Sequence, residues 1–97
     1  MKYRFTPQAE SEADREREWW LENRRDSPDL FDEELAAIIA KIRRRPTTGT
    51  IHNAEFPEEV RRVLMRKTNN HVYFTIHEGE IVILSVWGAP KQHGPKL

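Results

Sequence analysis

The last third of the chain constrains the fold most. His71-Val72-Tyr73-Phe74-Thr75-Ile76-His77 and Ile81-Val82-Ile83-Leu84-Ser85-Val86-Trp87 lie on either side of Glu78-Gly79. Two runs rich in β-branched and aromatic residues around a glycine read as a β-hairpin, because Gly79 can supply the positive φ that a two-residue turn needs. With Glu78-Gly79 as the loop, His77 faces Glu80, Ile76 faces Ile81, Phe74 faces Ile83 and Val72 faces Ser85. Side chains alternate between the faces of a sheet. This register therefore puts Val72, Phe74, Ile76, Ile81, Ile83 and Trp87 on a core face. His71, Tyr73, Thr75 and His77 fall on the other face beside Val82, Leu84 and Val86, where a partner could cover them.

Ahead of the hairpin, Lys2-Tyr3-Arg4-Phe5 alternates like a short strand, and Thr6 can cap a helix opened by Pro7. That helix runs to about Asn23 with Ala9, Ala13, Trp19, Trp20 and Leu21 as its apolar positions. Its centre holds no large hydrophobe, so only its ends are expected to pack firmly. Adjacent helical residues point about 100° apart, so one of Trp19 and Trp20 enters the core and the other is left at the surface. Ser27-Pro28 starts a second helix, in which Phe31, Leu35, Ile38, Ile39 and Ile42 form an amphipathic stripe. Lys41, Arg43, Arg44 and Arg45 end it before Pro46, which places cations where the helix dipole favours them. Residues 47–57 read as a loop. Val60 to Arg66 reads as a strand, with Val63 and Met65 facing the core and Arg62 and Arg66 facing away, or the reverse. Asn69-Asn70 makes the turn into the hairpin, and residues 88–97 form a short basic tail. The expected fold is α+β, in the order β-α-α-β-β-β, with a helical hairpin on one face of a mainly antiparallel sheet.

With 97 residues, the chain can hold one core and is expected to be a single domain over residues 1–97. The formal net charge is zero, but it is unevenly spread: the first helix is acid-rich, whereas Arg61, Arg62, Arg66, Lys67, Lys91 and Lys96 outnumber Glu78 and Glu80 towards the end. There is no cysteine, which excludes disulfides and thiolate chemistry. Neither a signal peptide nor an apolar span is visible, and the expected location is the cytoplasm. His52, His71, His77 and His93 lack metal-ligand spacing. No metal and no cofactor are expected.

Phe5-Thr6-Pro7-Gln8-Ala9 with Glu12 and Trp19-Trp20, Phe31 through Leu35 with Ile42 and Pro46, Val60-Arg61-Arg62-Val63-Leu64, His71-Val72-Tyr73-Phe74, Ile83-Leu84-Ser85-Val86-Trp87-Gly88-Ala89 and Gly94-Pro95-Lys96-Leu97 together resemble the RelE/ParE family of type II toxins. The resemblance covers nearly the whole chain and is closer to the ParE-like branch. It implies a small bacterial cytoplasmic toxin neutralised by a cognate antitoxin. RelE-like members cleave messenger RNA on the ribosome, whereas ParE-like members are associated with inhibition of DNA gyrase. In RelE-like enzymes an arginine near the start of the penultimate strand and a His or Tyr after the last strand serve catalysis. Those positions fall here on His71 and on Trp87-Gly88. Tryptophan exchanges no proton at neutral pH and glycine has no side chain, so the resemblance implies a toxin that acts by binding.

On that reading Arg62, Arg66, Lys67, Lys91 and Lys96 meet the target, and Trp20, Leu21, Val82 and Leu84 anchor the antitoxin, with no catalytic residue assigned. The alternative is a ribosome-dependent endoribonuclease using His71, Tyr73, Arg62 and Arg66. A further alternative is an inactive relative that acts only with its antitoxin in operon autoregulation.

Overall fold

The computed structural model describes residues 1–54, 58–89 and 94–97. The elements are β1 (Tyr3–Phe5), α1 (Pro7–Asn23), α2 (Leu30–Arg44), β2 (Thr50–Asn53), β3 (Val60–Met65), β4 (Asn70–His77) and β5 (Glu80–Gly88). They build an α+β fold with a five-stranded sheet in the order β1-β5-β4-β3-β2. The β1–β5 pair is parallel and the other pairs are antiparallel. The expected order holds, with one strand added. Thr50–Asn53, read from sequence as loop, pairs with β3. All four of its residues are exposed, so no hydrophobic alternation marked it as a strand.

Local chemistry sets the helix ends. The Thr6 hydroxyl accepts the Ala9 amide at 3.1 Å, and Pro7 opens α1. The second helix starts at Leu30, later than Ser27-Pro28 suggested, because residues 24–29 first make a turn closed by Ser27 N to Arg24 O at 3.0 Å. Asp32 and Glu33 lie in its first turn and Lys41, Arg43 and Arg44 in its last, matching the helix dipole at both ends.

The helices pack on one face of the sheet. Phe31, Leu35, Ile39 and Ile42 from α2 and Ala9, Ala13 and Trp20 from α1 meet Val63, Met65, Val72, Phe74, Ile81, Ile83 and Val86. The centre of α1 is not loose, contrary to expectation: Glu12 and Ala13 are buried there. Its inward stripe is part acidic. Glu12 accepts hydrogen bonds from Ser85 Oγ at 2.6 Å and from the Val86 amide at 3.1 Å. Glu16 Oε1 accepts from Asn70 Nδ2 at 3.0 Å and from Trp20 Nε1 at 3.2 Å. A buried carboxylate is tolerable only when it is hydrogen-bonded, as Glu12 is; Glu16 is half-buried.

The hairpin turn is Glu78-Gly79, with φ of 49° and 76°, the two positive angles of a type I′ turn. The register is as expected from His77↔Glu80 to Phe74↔Ile83, but it shifts at the next pair. Leu84 is the extra residue of a β-bulge, so Tyr73 faces Ser85, Val72 faces Val86 and His71 faces Trp87. Two assignments are thereby exchanged: Val86 joins the core and Trp87 stands across from His71. A bulge adds one residue to one strand and reverses the alternation beyond it, which simple period-two counting cannot anticipate.

Candidate functional site

The face of the sheet away from the helices carries the polar cluster. In β3 the register sets Arg62 opposite Tyr73 and Leu64 opposite His71, while Arg61 falls opposite Phe74. Arg62 and His71 therefore belong to the far face, as one of the two sequence alternatives had it. The added strand contributes Thr50 opposite Arg62, and it brings His52 to Tyr73 with ring centroids 4.9 Å apart, edge to face. The His71 ring lies 6.0 Å from the same tyrosine. His52, set aside as a loop residue in the sequence reading, is thus part of the cluster, and only the β2–β3 pairing places it there.

The electrostatics are those of an anion-attracting surface. The His71 imidazole titrates below the ordinary histidine value, first through partial burial and then through repulsion from Arg62 and His52. Among the described residues no hydrogen bond or ion pair engages the Arg62 guanidinium, whereas Arg4, Arg17 and Arg61 are paired with carboxylates. An unpaired guanidinium beside two imidazoles and a phenol suits a phosphate or carboxylate ligand. The same groups include acid–base candidates for attack by a 2′-hydroxyl on its phosphodiester.

This face is less open than the sequence suggested. Tyr73, Val60 and Val82 are buried outside the helix-side core, at 2%, 4% and 4% exposure, and Leu84 is half-buried. Val82 therefore offers little surface to a partner. Trp20 is likewise in the core, because its indole fits between α1 and the sheet and donates to Glu16. Its neighbour Trp19 and Leu21 remain outside, at 46% and 51% exposure.

The cations expected to meet the target lie on several elements of the described residues. Arg62 sits in the cluster, and Arg66 and Lys67 lie exposed in the β3–β4 turn. Lys96 is placed by the first turn of α1, where its carbonyl accepts from Gln8 at 2.7 Å. Lys91 lies outside the described residues. No group of three or more His, Cys, Asp or Glu among the described residues could hold a metal ion. No described helix is long and apolar enough to cross a membrane.

Beside α1 the surface is grooved. Glu12, Arg15, Glu16, Trp19, Val86, Trp87 and Gly88 line an open groove of about 430 Å³. Exposed Trp19 stands at its edge, an aromatic surface of the kind that anchors protein partners.

No protein-family model matches the sequence, and a search of curated proteins returns no match. A search of solved structures finds a chain in a structure described as the chromosomal ParDE TA (toxin–antitoxin) system from P. aeruginosa. The likeness has a TM-score of 0.64 at 18% sequence identity, and it covers 91% of this chain and 95% of that one. The two helices on a mainly antiparallel sheet are thus the fold of a chain from the ParDE system, shared over nearly the full length of both.

Proposed function

We propose that this protein is the toxin of a bacterial type II toxin–antitoxin system, held inactive by a cognate antitoxin in the cytoplasm, and that it arrests growth by binding DNA gyrase. The observation that carries this reading is the end-to-end likeness in fold to a ParDE chain. The last residues of β5 support binding over catalysis, since Trp87-Gly88 offers no proton-transfer group at the position where the resemblance puts one in RelE-like enzymes. Trp19, which lines the groove beside α1, suits an amphipathic antitoxin helix, which gains affinity by burying such an anchor.

A second reading is favoured by one specific arrangement. His52, Arg62, His71 and Tyr73 gather on one face, and these are groups that a ribosome-dependent messenger endoribonuclease would use. Induction of the protein without an antitoxin, with transcript integrity and plasmid supercoiling followed in one culture, separates the readings. Relaxed plasmid or gyrase-linked breaks with intact messages is the expected result. Codon-phased cleavage with normal supercoiling, abolished by His71→Ala, would instead establish the nuclease. Undisturbed growth would leave autoregulation with the antitoxin as the function.

A further inference from the structure

The outward edge of β5 changes parity along its length. Near its start, Ile81 N donates to Lys2 O at 2.9 Å and Ile83 O accepts from Thr6 N at 3.0 Å, so odd-numbered residues point towards β1. β1 ends at Phe5, and beyond Ile83 no strand among the described residues lies on that side of β5. The next outward amide is Val86 N, an even-numbered residue, and its acceptor is Glu12 Oε1 at 3.1 Å. The same oxygen accepts Ser85 Oγ at 2.6 Å. Between the odd and even sets lies Leu84, the residue left over in the β4–β5 register. Its carbonyl is held by the Thr6 hydroxyl at 3.3 Å.

We infer that Glu12 is a positioning residue: its carboxylate, reaching from α1, fixes the bulge at Leu84 and thereby sets Trp87 across from His71 at the polar cluster. The alternative register is explicit. Without the bulge Tyr73 would pair with Leu84, Val72 with Ser85, His71 with Val86 and Asn70 with Trp87. Ser85 N would then point outward in place of Val86 N, and Val86 would leave the core for the cluster face. An unpaired amide at a buried edge is costly, so an acceptor fixed opposite Val86 N selects the bulged register. Glu12 is 7% exposed, and the other buried residues of α1 are Ala9, Ala13 and Trp20. A carboxylate at such a place is explained by what it accepts.

The test reads the free protein and does not depend on its target. In the wild type, cross-strand nuclear Overhauser contacts should join His71 to Trp87 and Val72 to Val86, and the Val86 amide should exchange slowly. In Glu12→Ala, or in Glu12→Leu, which fills the site without an acceptor, His71 should pair with Val86 instead. Glu12→Gln keeps an acceptor oxygen and should restore the bulged pairing, with Val86 exchange at least about tenfold slower than in Glu12→Leu. A merely space-filling role would be met by Leu as well as by Gln. Wild-type pairing in Glu12→Ala or Glu12→Leu would overturn the inference. So would rapid Val86 exchange in the wild type or in folded Glu12→Gln, the two measurements that need neither disruptive variant.

Discussion

At the scale of single residues, two histidines on the same strand respond to pH in opposite senses. His77 is paired with Glu58 through a side-chain hydrogen bond and charge attraction, which hold its imidazole above the ordinary value of 6.5. Its folded value exceeds its unfolded one, so the pair's contribution is complete below the unfolded value and is lost as pH rises through the folded one. His71 is shifted down, chiefly by burial. Unfolding lets it bind a proton more readily, so its effect is to destabilise the fold as pH falls below about 6.5. Titration by NMR should give His77 a midpoint above 6.5 and His71 one below it. A reversed order would remove the proposed environments of both. Gly49 is a different kind of constraint: its φ is +80°, and an added Cβ would lie 2.3 Å from the Arg62 carbonyl oxygen. Gly49→Ala must distort the backbone that leads into β2, at a cost of more than about 1 kcal/mol. Urea unfolding should show that loss, accompanied by weakening of the His52–Tyr73 contact.

At the scale of elements, the helices grip the sheet through carboxylates as well as through hydrophobic packing. Glu34 of α2 accepts the Lys67 amide at 2.7 Å, the Thr68 amide at 2.9 Å and the Thr68 hydroxyl at 2.8 Å. It thereby caps the β3–β4 turn, whose Asn69 has a φ of 59°. Hydrogen bonds to a charged group are worth about 1.5–3 kcal/mol each when buried and less where water competes. Glu34→Ala is therefore expected to cost about 2 kcal/mol in total, and hydrogen exchange should locate the loss at Lys67 and Thr68. A change below about 0.5 kcal/mol would mean that this turn holds its shape unaided. Arg17 tightens the helix pair in a milder way. It bonds Asp32 across to α2 at 2.8 Å and Asp14 within α1 at 2.7 Å, and these carboxylates, Asp32 foremost, raise its pKa. The site is solvent-exposed, so salt should weaken it readily.

For the whole molecule, the proposed function has the two faces of α1 divide stability from recognition. Trp20 is buried among the core side chains, whereas Trp19 packs edge to face against it, with centroids 5.5 Å apart, and stays half exposed. Trp20→Ala removes a large core side chain and should cost about 3–5 kcal/mol. Trp19→Ala should change stability by less than about 1 kcal/mol. Under the proposed function it should nevertheless weaken antitoxin binding about tenfold or more, as loss of an aromatic anchor does. Calorimetric binding to the antitoxin, alongside thermal melts of both variants, checks the division. Equal binding by Trp19→Ala and the wild type would move the antitoxin to another surface.

The sequence by itself determined what depends on local chemistry and on short periods. It specified α1 from Thr6 and Pro7 to Asn23, the stripe of α2 with its cationic end before Pro46, the Glu78-Gly79 turn and the α+β order of elements. It also specified that one of the adjacent tryptophans would be core. Tertiary structure alone decided the rest. β2 buries nothing, so its strand character comes only from the exposed edge of β3, and with it comes His52's place beside Tyr73. The bulge at Leu84 depends on Glu12, seventy-two positions away in the chain, and it decides that Val86 rather than Trp87 enters the core. An acidic residue on a helix reads as solvent-facing until the buried amide that it accepts is in view. A buried carboxylate and an unpaired strand edge are each unfavourable alone and stable together, and that pairing is a property of the folded chain.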